Sequence, residues 1–179
     1  MRRLLFQMLV TADGSMAGPG GKLDWHIVDW DFSAYVDRML RSIDAILLGR
    51  RTYEGLAGYW PDAREPEAAL MNALPKFVFS STLRQAAWSN SRIVTEDPVG
   101  EVRRLKAMEG SDLALFASST LAATLADAGL VDEYRIIVNP VLLGKGRPVL
   151  PRLAKRIPLR LARTDVFASG TICLCYQPA

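Results

Sequence analysis

A short apolar strand followed directly by a helical pattern occurs several times in this sequence. Ala45 to Leu48 is followed by a helical pattern that begins after Gly49, and Leu113 to Ala117 by one that Ser118 opens. Leu4 to Thr11 is a further apolar run that ends at turn residues. Because strands that alternate with helices assemble into parallel sheets, the pattern predicts an α/β fold with a mostly parallel central sheet.

The last third of the chain has a different pattern. Tyr134 to Val138, Leu159 to Val166 and Ile172 to Tyr176 have the composition of strands, with little helix between them. Ser169-Gly170 predicts a hairpin turn between the last two. We therefore expect antiparallel C-terminal strands at one edge of the sheet.

Length and charge limit the class of protein. The 179 residues, half of them hydrophobic, are enough for one buried core, so a single domain over residues 1–179 is expected. No apolar run approaches the roughly 18 residues that cross a bilayer, and the N-terminus lacks a signal-peptide pattern, which predicts a soluble cytoplasmic protein. The formal net charge of +3 is too small to indicate nucleic-acid binding.

The segment from Asp44 to Glu54 predicts an anion site. Gly49 allows the backbone to approach a ligand, and the helix start after it supplies N–H donors and a positive dipole end. Arg50 and Arg51 add planar, charged donors that suit phosphate oxygens, and Thr52 is expected to cap the helix. Taken alone, the segment is equally well explained as a turn with two solvated arginines.

Three predicted strand ends carry small or hydroxyl residues. In open α/β sheets, ligands bind beyond the carboxyl ends of the strands, where helix N-termini converge. Each serine pair alone is more simply explained as a cap, but the three together predict a dinucleotide site. Its candidate residues are Gly49, Arg50, Arg51, Thr52, Ser80, Ser81, Thr82, Ala117, Ser118, Ser119 and Thr120.

Asp29-Trp30-Asp31 is the candidate for proton chemistry, because it lies at the entry of an amphipathic helix. Desolvation by tryptophans raises the pKa of a carboxylic acid, which can then protonate a substrate nitrogen or orient an aminopyrimidine ring. Helix capping by Asp31 is the alternative. His26 is the single histidine, and without a Gly-x-Ser-x-Gly elbow it does not indicate a hydrolase.

Cys173 and Cys175 are the two cysteines of the chain. At positions i and i+2 of a predicted strand they share one face without suiting a disulfide. Burial in the core is the favoured interpretation, and a redox or metal pair is the alternative. One histidine and two strand cysteines do not supply the three or four ligands of a zinc site, so no metal is expected.

Several motifs follow one another along almost the whole chain: Thr11-Ala-Asp-Gly14, Trp25, Leu48-Gly-Arg-Arg-Thr-Tyr-Glu54, Lys76-Phe-Val-Phe-Ser-Ser81, Ser118-Ser-Thr-Leu121, Leu130-Val-Asp-Glu-Tyr134 and Asn139-Pro-Val-Leu-Leu-Gly-Lys-Gly146. In this order they resemble the dihydrofolate-reductase-like superfamily, and within it the RibD C-terminal reductase domain of riboflavin biosynthesis and its stand-alone relatives. The resemblance implies a three-layer dihydrofolate-reductase-like sandwich, NADPH as cofactor and a homodimer.

The resemblance also implies roles for the strand ends. The equivalents of Gly49 to Thr52 and of Ser80 to Ser81 contact the NADPH phosphates and adenosine, and Ala117 to Leu121 lies under the nicotinamide and pyrophosphate. Reductases of this kind usually carry Gly-Gly or Gly-Ser at the last turn, where this chain has Ala117-Ser118. The acid of dihydrofolate reductases falls near Asp31 or Ser33.

We therefore interpret the chain as an NADPH-dependent reductase of a small pterin-like or aminopyrimidine-like heterocycle. Asp31 is expected to donate a proton or anchor the substrate, and Trp25 to pack against the substrate ring. The loop from Ala12 to Gly21 is expected to cover the nicotinamide. Arg50, more than Arg51, is expected to select NADPH over NADH. The alternative is an NADP-binding or regulatory protein of the same fold without turnover.

Overall fold

The computed structural model describes residues 1–150 and 153–179, which form eight strands and five α-helices. The strands are β1 (Leu4–Thr11), β2 (Ile43–Gly49), β3 (Lys76–Phe79), β4 (Ser91–Val94), β5 (Asp112–Phe116), β6 (Glu133–Asn139), β7 (Leu159–Val166) and β8 (Ile172–Pro178). The helices are α1 (Trp30–Arg41), α2 (Arg50–Ala57), α3 (Ala68–Ala73), α4 (Pro98–Ala107) and α5 (Ser119–Asp127). None of these helices is long and apolar enough to span a membrane.

All eight strands belong to one sheet, in the order β4-β3-β2-β5-β1-β6-β8-β7. The first six strands in this order, which end with β6, pair in parallel. β8 is antiparallel to both β6 and β7. The predicted parallel sheet with antiparallel C-terminal edge strands is therefore confirmed.

Helices cover both faces of the sheet, because the central strand is apolar on both sides. From β1, Leu4 and Phe6 pack on one face with residues of α4 and α5, such as Val102 and Leu125. Leu5 points to the opposite face and belongs to a cluster with residues of α1, α2 and α3. Burial of this apolar surface on both faces gives the three-layer sandwich that the resemblance implied.

Two local expectations differ from the structure, and one helix was not predicted. Thr52 is not a helix cap, because Gly49 is the N-cap of α2 and Thr52 lies within its first turn. Asp29, rather than Asp31, is the N-cap of α1. Helix α3 was not expected, since six residues are too few to display a helical period; Ala68 and Met71 hold it by packing against its neighbours.

The turn from β5 to α5 is strained. β5 ends at Phe116, and the next two residues, Ala117 and Ser118, adopt left-handed backbone conformations with φ of 48° and 53°. For residues with a side chain this conformation costs about 1–2 kcal/mol each. The Ala117 N–H still donates to the Gln7 carbonyl of β1 at 2.9 Å, so the strained residues remain attached to the sheet.

Replacement of Ala117 by glycine should relieve this strain. We expect Ala117→Gly to raise the free energy of unfolding by about 0.5–1 kcal/mol, because the relief exceeds the entropy that glycine adds to the unfolded chain. Urea denaturation measures the change. The same substitution at Ala128, where φ is −77°, is the matched control and should be destabilising. Equal effects of the two substitutions would contradict strain at Ala117.

Candidate functional site

Three strand ends lie side by side at the carboxyl edge of the sheet. β3, β2 and β5 are neighbours in parallel, with Gly49 of β2 directly opposite Phe79 of β3. The residues that follow these strands therefore emerge from one edge. The structure thus brings together the three predicted groups, Gly49–Thr52, 80–82 and 117–121.

The Ser118 side chain joins two of these groups. Its Oγ accepts a hydrogen bond from the Gly49 N–H at 2.8 Å and donates one to Thr52 Oγ1 at 3.0 Å. A Cβ atom on Gly49 would lie 3.4 Å from that oxygen. The hydroxyl therefore holds the starts of α2 and α5 next to each other.

The two helix starts form an electropositive site. Neither N-cap residue, Gly49 or Ser118, makes a side-chain capping bond to its own helix, and neither first turn contains an acidic residue. Unpaired N–H groups at two adjacent helix N-termini attract an anion through direct hydrogen bonds and through the helix dipoles. This donor set fits the pyrophosphate of a dinucleotide.

The two arginines of α2 are in different situations. Arg50 Nη1 lies 3.0 Å from Glu54 Oε1 in an exposed ion pair one helical turn apart. Arg51 is also exposed, and within residues 1–150 and 153–179 no acid pairs with it. An exposed ion pair contributes little to stability, but it does occupy the Arg50 guanidinium. The Arg51 charge is the more available of the two for a ligand.

The hydroxyl residues after β3 form a tight turn and do not start a helix. Ser80 Oγ accepts hydrogen bonds from the N–H groups of Thr82 at 3.2 Å and Leu83 at 2.9 Å. This is a local turn of the kind that serine side chains stabilise. Ser81 and Thr82 are exposed at the same edge. Their hydroxyls, more than that of Ser80, are placed to meet a ligand.

In the first turn of α5, the three remaining candidates have different surroundings. Thr120 is exposed, Ser119 is half-buried, and Leu121 packs against the apolar cluster on the α4 and α5 face of the sheet. The Leu121 side chain therefore has a packing role. Its backbone N–H belongs to the electropositive helix start described above.

Asp29 joins the start of α1 to the turn between β7 and β8. Its Oδ1 accepts from the Phe32 N–H at 3.0 Å, and its Oδ2 accepts from the Ser169 N–H at 2.7 Å. Hydrogen bonding from Ser169 is the main cause that holds the pKa of Asp29 well below its ordinary value of 3.8. Asp29 is therefore ionised at neutral pH and does not suit proton donation.

Asp31 also joins the start of α1 to the turn between β7 and β8. Its Oδ1 accepts from the Phe32 N–H at 3.0 Å and its Oδ2 from the Ala168 N–H at 2.8 Å, so both oxygens already contact backbone donors. The neighbouring Trp30 is 77% exposed and does not enclose either acid. The expected desolvation by tryptophan is therefore wrong for Trp30, and the role of Asp31 as acid or anchor stays a prediction.

A third acid contacts the first turns of α1. Glu67, at the N-cap of α3, is 5% exposed and accepts a hydrogen bond from the Ser33 hydroxyl. Within the described ranges no cation pairs with it, which is uncommon for a buried carboxylate. Sequence reasoning missed Glu67, because it lies in a polar, proline-containing segment, and only the packing of α3 on α1 buries it.

Trp25 and the glycine-containing loop before it are held in place. Trp25 is 8% exposed, and its Nε1–H donates to the Lys22 carbonyl at 3.2 Å. Within the loop, the Met16 N–H donates to the Arg147 carbonyl. The Asp13 carboxylate accepts from the Gly144 N–H at 2.7 Å. The loop from residue 12 to 21 therefore rests on the segment that follows β6.

Comparison with known proteins places this geometry in a family. The Bacillus subtilis (strain 168) uncharacterized protein YyaP is 34% identical over 182 residues, which cover 98% of this chain and 95% of YyaP. The crystal structure of a putative riboflavin biosynthesis protein from Shewanella sp. PV-4 has a TM-score of 0.79 at 22% identity and covers 99% of both chains.

Dihydrofolate reductase from Enterococcus faecalis, solved with NADP(H) and RAB-propyl, superposes with a TM-score of 0.66 at 16% identity and covers 98% of this chain and 96% of that one. This likeness shows the dihydrofolate-reductase-like fold. The family described as the RibD C-terminal domain matches residues 2–173. The chain therefore belongs to the RibD C-terminal domain family.

Proposed function

We propose that this protein is an NADPH-dependent reductase of a small heterocycle, pterin-like or aminopyrimidine-like. The observation that carries the proposal is the junction of the α2 and α5 N-termini through Ser118 at the carboxyl edge of the sheet. Membership of the RibD C-terminal domain family supports it. When bound, NADPH supplies the hydride.

The strand ends bind the cofactor phosphates. Gly49 allows close approach of the backbone, and the first-turn N–H groups of α2 and α5 donate to the pyrophosphate. The Arg51 guanidinium donates charged hydrogen bonds to the 2′-phosphate. It is available for this because it has no acidic partner in the described part of the chain, whereas the Arg50 guanidinium is paired with Glu54. The exposed Ser81 and Thr82 hydroxyls add hydrogen bonds on the adenosine side.

The start of α1 and the loop before it bind the substrate. Asp31 anchors the heterocycle or delivers a proton to its nitrogen, exchanging the Ala168 N–H for the substrate in doing so. Trp25 packs against the ring. The loop from residue 12 to 21 covers the reacting atoms and excludes water.

A second candidate function is NADP binding without turnover, in a regulatory role. Two observations favour it. Both carboxylate oxygens of Asp31 already accept backbone N–H groups, and Ala117 places a methyl group at a strained turn where reductases usually have glycine. The two candidate functions differ in one measurable respect. A reductase oxidises NADPH when its heterocyclic substrate is present, whereas the regulatory protein binds NADPH without oxidising it.

Cofactor preference tests the phosphate site. We expect NADPH to bind more tightly than NADH, and Arg51→Ala to weaken NADPH roughly ten- to a hundredfold with little effect on NADH, because a charged hydrogen bond contributes about 1.5–3 kcal/mol. Arg50→Ala is the matched control and should weaken NADPH binding less, since the Arg50 guanidinium of the parent is paired with Glu54. Isothermal titration calorimetry measures each affinity. If the parent binds NADH as tightly as NADPH, the phosphate site is wrong.

The acid is tested by carboxamide substitutions. Asp31→Asn should lower turnover about a hundredfold or more on any accepted pterin or aminopyrimidine, while the affinity for NADPH stays within about twofold of the parent. Asp29→Asn removes the neighbouring carboxylate and should have a smaller effect. Glu67→Gln is the third variant to be measured. If Asp31→Asn keeps full activity and Glu67→Gln loses activity, Glu67 and not Asp31 is the acid or substrate anchor.

We also propose that the protein is a homodimer, with one face of the β7 and β8 edge as the interface. Leu159, Leu161 and Val166 are 41%, 50% and 70% exposed there, and they alternate onto the same face as Ile172 of β8. Light scattering should give twice the mass of the chain, and Leu161→Lys should reduce it to one chain, because a charge at an apolar interface is costly. A monomeric parent would exclude this interface.

A further inference from the structure

The pairing of β7 and β8 gathers the two cysteines and an acid on one face of the sheet. In the antiparallel register, Asp165 lies opposite Cys173, and Arg163 lies opposite Cys175. On the other side of β8, Arg135 of β6 lies opposite Cys175. Opposite residues in a sheet project from the same face, so all five side chains lie together. This face is distant in the sheet order from β2 and β5, which carry the cofactor candidates.

Asp165, Cys173 and Cys175 lie close enough together to bind one metal ion. Among the described residues, Asp165, Cys173 and Cys175 place one ligand atom each within 4.8 Å of one another. The two Sγ atoms are 3.7 Å apart. Two thiolates on a tetrahedral zinc ion, each at about 2.3 Å, are separated by roughly 3.8 Å. The thiols therefore span one edge of such a tetrahedron without movement.

A disulfide is the less suitable product of this pair. Residues i and i+2 of a strand have Cα atoms about 6.6 Å apart, close to the upper limit for a disulfide. Both cysteines are buried, at 0% and 2% exposure, and both are free thiols. Asp165 is partly exposed and gives the cluster one side that is open to solvent.

Arg163 contacts two of the three proposed ligands, Asp165 and Cys175. Arg163 Nη2 approaches Cys175 Sγ at 3.5 Å, and Arg163 Nε donates to Asp165 Oδ2 at 3.0 Å, which leaves Oδ1 for an ion. Such an outer hydrogen bond orients a ligating carboxylate. Arg135 is neutralised by Glu133, at 2.6 Å. Two thiolates and one carboxylate, with Arg163 beside them, carry a net charge that a divalent cation cancels.

We propose that Cys173, Cys175 and Asp165 bind one thiophilic divalent d10 ion, Zn²⁺ or Cd²⁺, with a water molecule as the fourth ligand on the exposed side. The ion fastens β7 to β8. Because the turn of this hairpin donates N–H groups to Asp29 and Asp31, the bound ion also steadies the start of α1. This metal site is independent of the proposed NADPH site.

Titration of the full-length protein with CdCl2 tests the site, after treatment with EDTA and with a phosphine reductant present. We expect one equivalent of Cd²⁺ to bind, with a sulfur-to-cadmium charge-transfer band in the ultraviolet. Zn²⁺ should displace it and bleach the band. Bound Zn²⁺ should also raise the melting temperature, because it binds the native state.

Variants assign the ligands. Cys173→Ser and Cys175→Ser should each remove the stoichiometric band, and Asp165→Asn should weaken Cd²⁺ about tenfold or more. Asp37→Asn, which replaces a partly exposed acid on α1, is the matched control and should bind as the parent does. The parent measurement keeps the test independent of how the variants fold.

Two results would overturn the proposal. One is a parent protein that shows no saturable band at one equivalent. The other is a parent whose two thiols are oxidised together by mild oxidant at the same rate with and without Zn²⁺, since bound metal must protect them. The second result would identify a redox pair instead.

Discussion

Burial of β1 between two parallel neighbours is the constraint on which the rest of this structure depends. Its residues Leu4, Leu5 and Phe6 are at most 1% exposed, so both faces of the sheet must be covered there. Parallel strands cannot be joined by tight turns, and each connection therefore crosses over the sheet, usually as a helix. Those crossovers supply the covering layers, and they place the carboxyl ends of six neighbouring parallel strands on one edge.

The chemistry of that edge follows from the topology. α2 and α5 start where the neighbouring strands β2 and β5 end, so the positive ends of their dipoles meet next to each other. Ala117 replaces the glycine usual in reductases, and the hydroxyl of the next residue, Ser118, bonds to Gly49 and Thr52. Those bonds offset part of the cost of the left-handed backbone at Ala117 and Ser118. The strained turn thus places the Ser118 hydroxyl where it holds the two helix starts together.

The antiparallel hairpin at the other end of the sheet has two consequences. The N–H groups of its turn bind the Asp29 and Asp31 carboxylates, so the helix that carries the candidate acid is positioned by strands far away in sequence. Its register also aligns Asp165 with the thiol of Cys173. Displacement of β7 would therefore disturb the start of α1 as well as the proposed metal site.

The sequence by itself determined the order of elements and much of their extent. β1 and β7 have the predicted bounds, Leu4–Thr11 and Leu159–Val166, because apolar or alternating runs limited by turn residues are local signals. The motif order also predicted the family, since it reflects strand ends and turns that are each encoded within a few residues. The hydroxyl groups at the strand ends were found in the same way.

Only the tertiary structure decided which side chains meet. The hydrogen bond between Asp31 and Ala168 joins residues 137 positions apart, and no local pattern indicates it. Glu67 is buried only because the short helix α3 packs on α1, and Asp165 joins the cysteines only through the hairpin register. Local propensity acts over a few residues, whereas hydrogen-bond partners, burial and charge at a site depend on packing between distant segments of the chain.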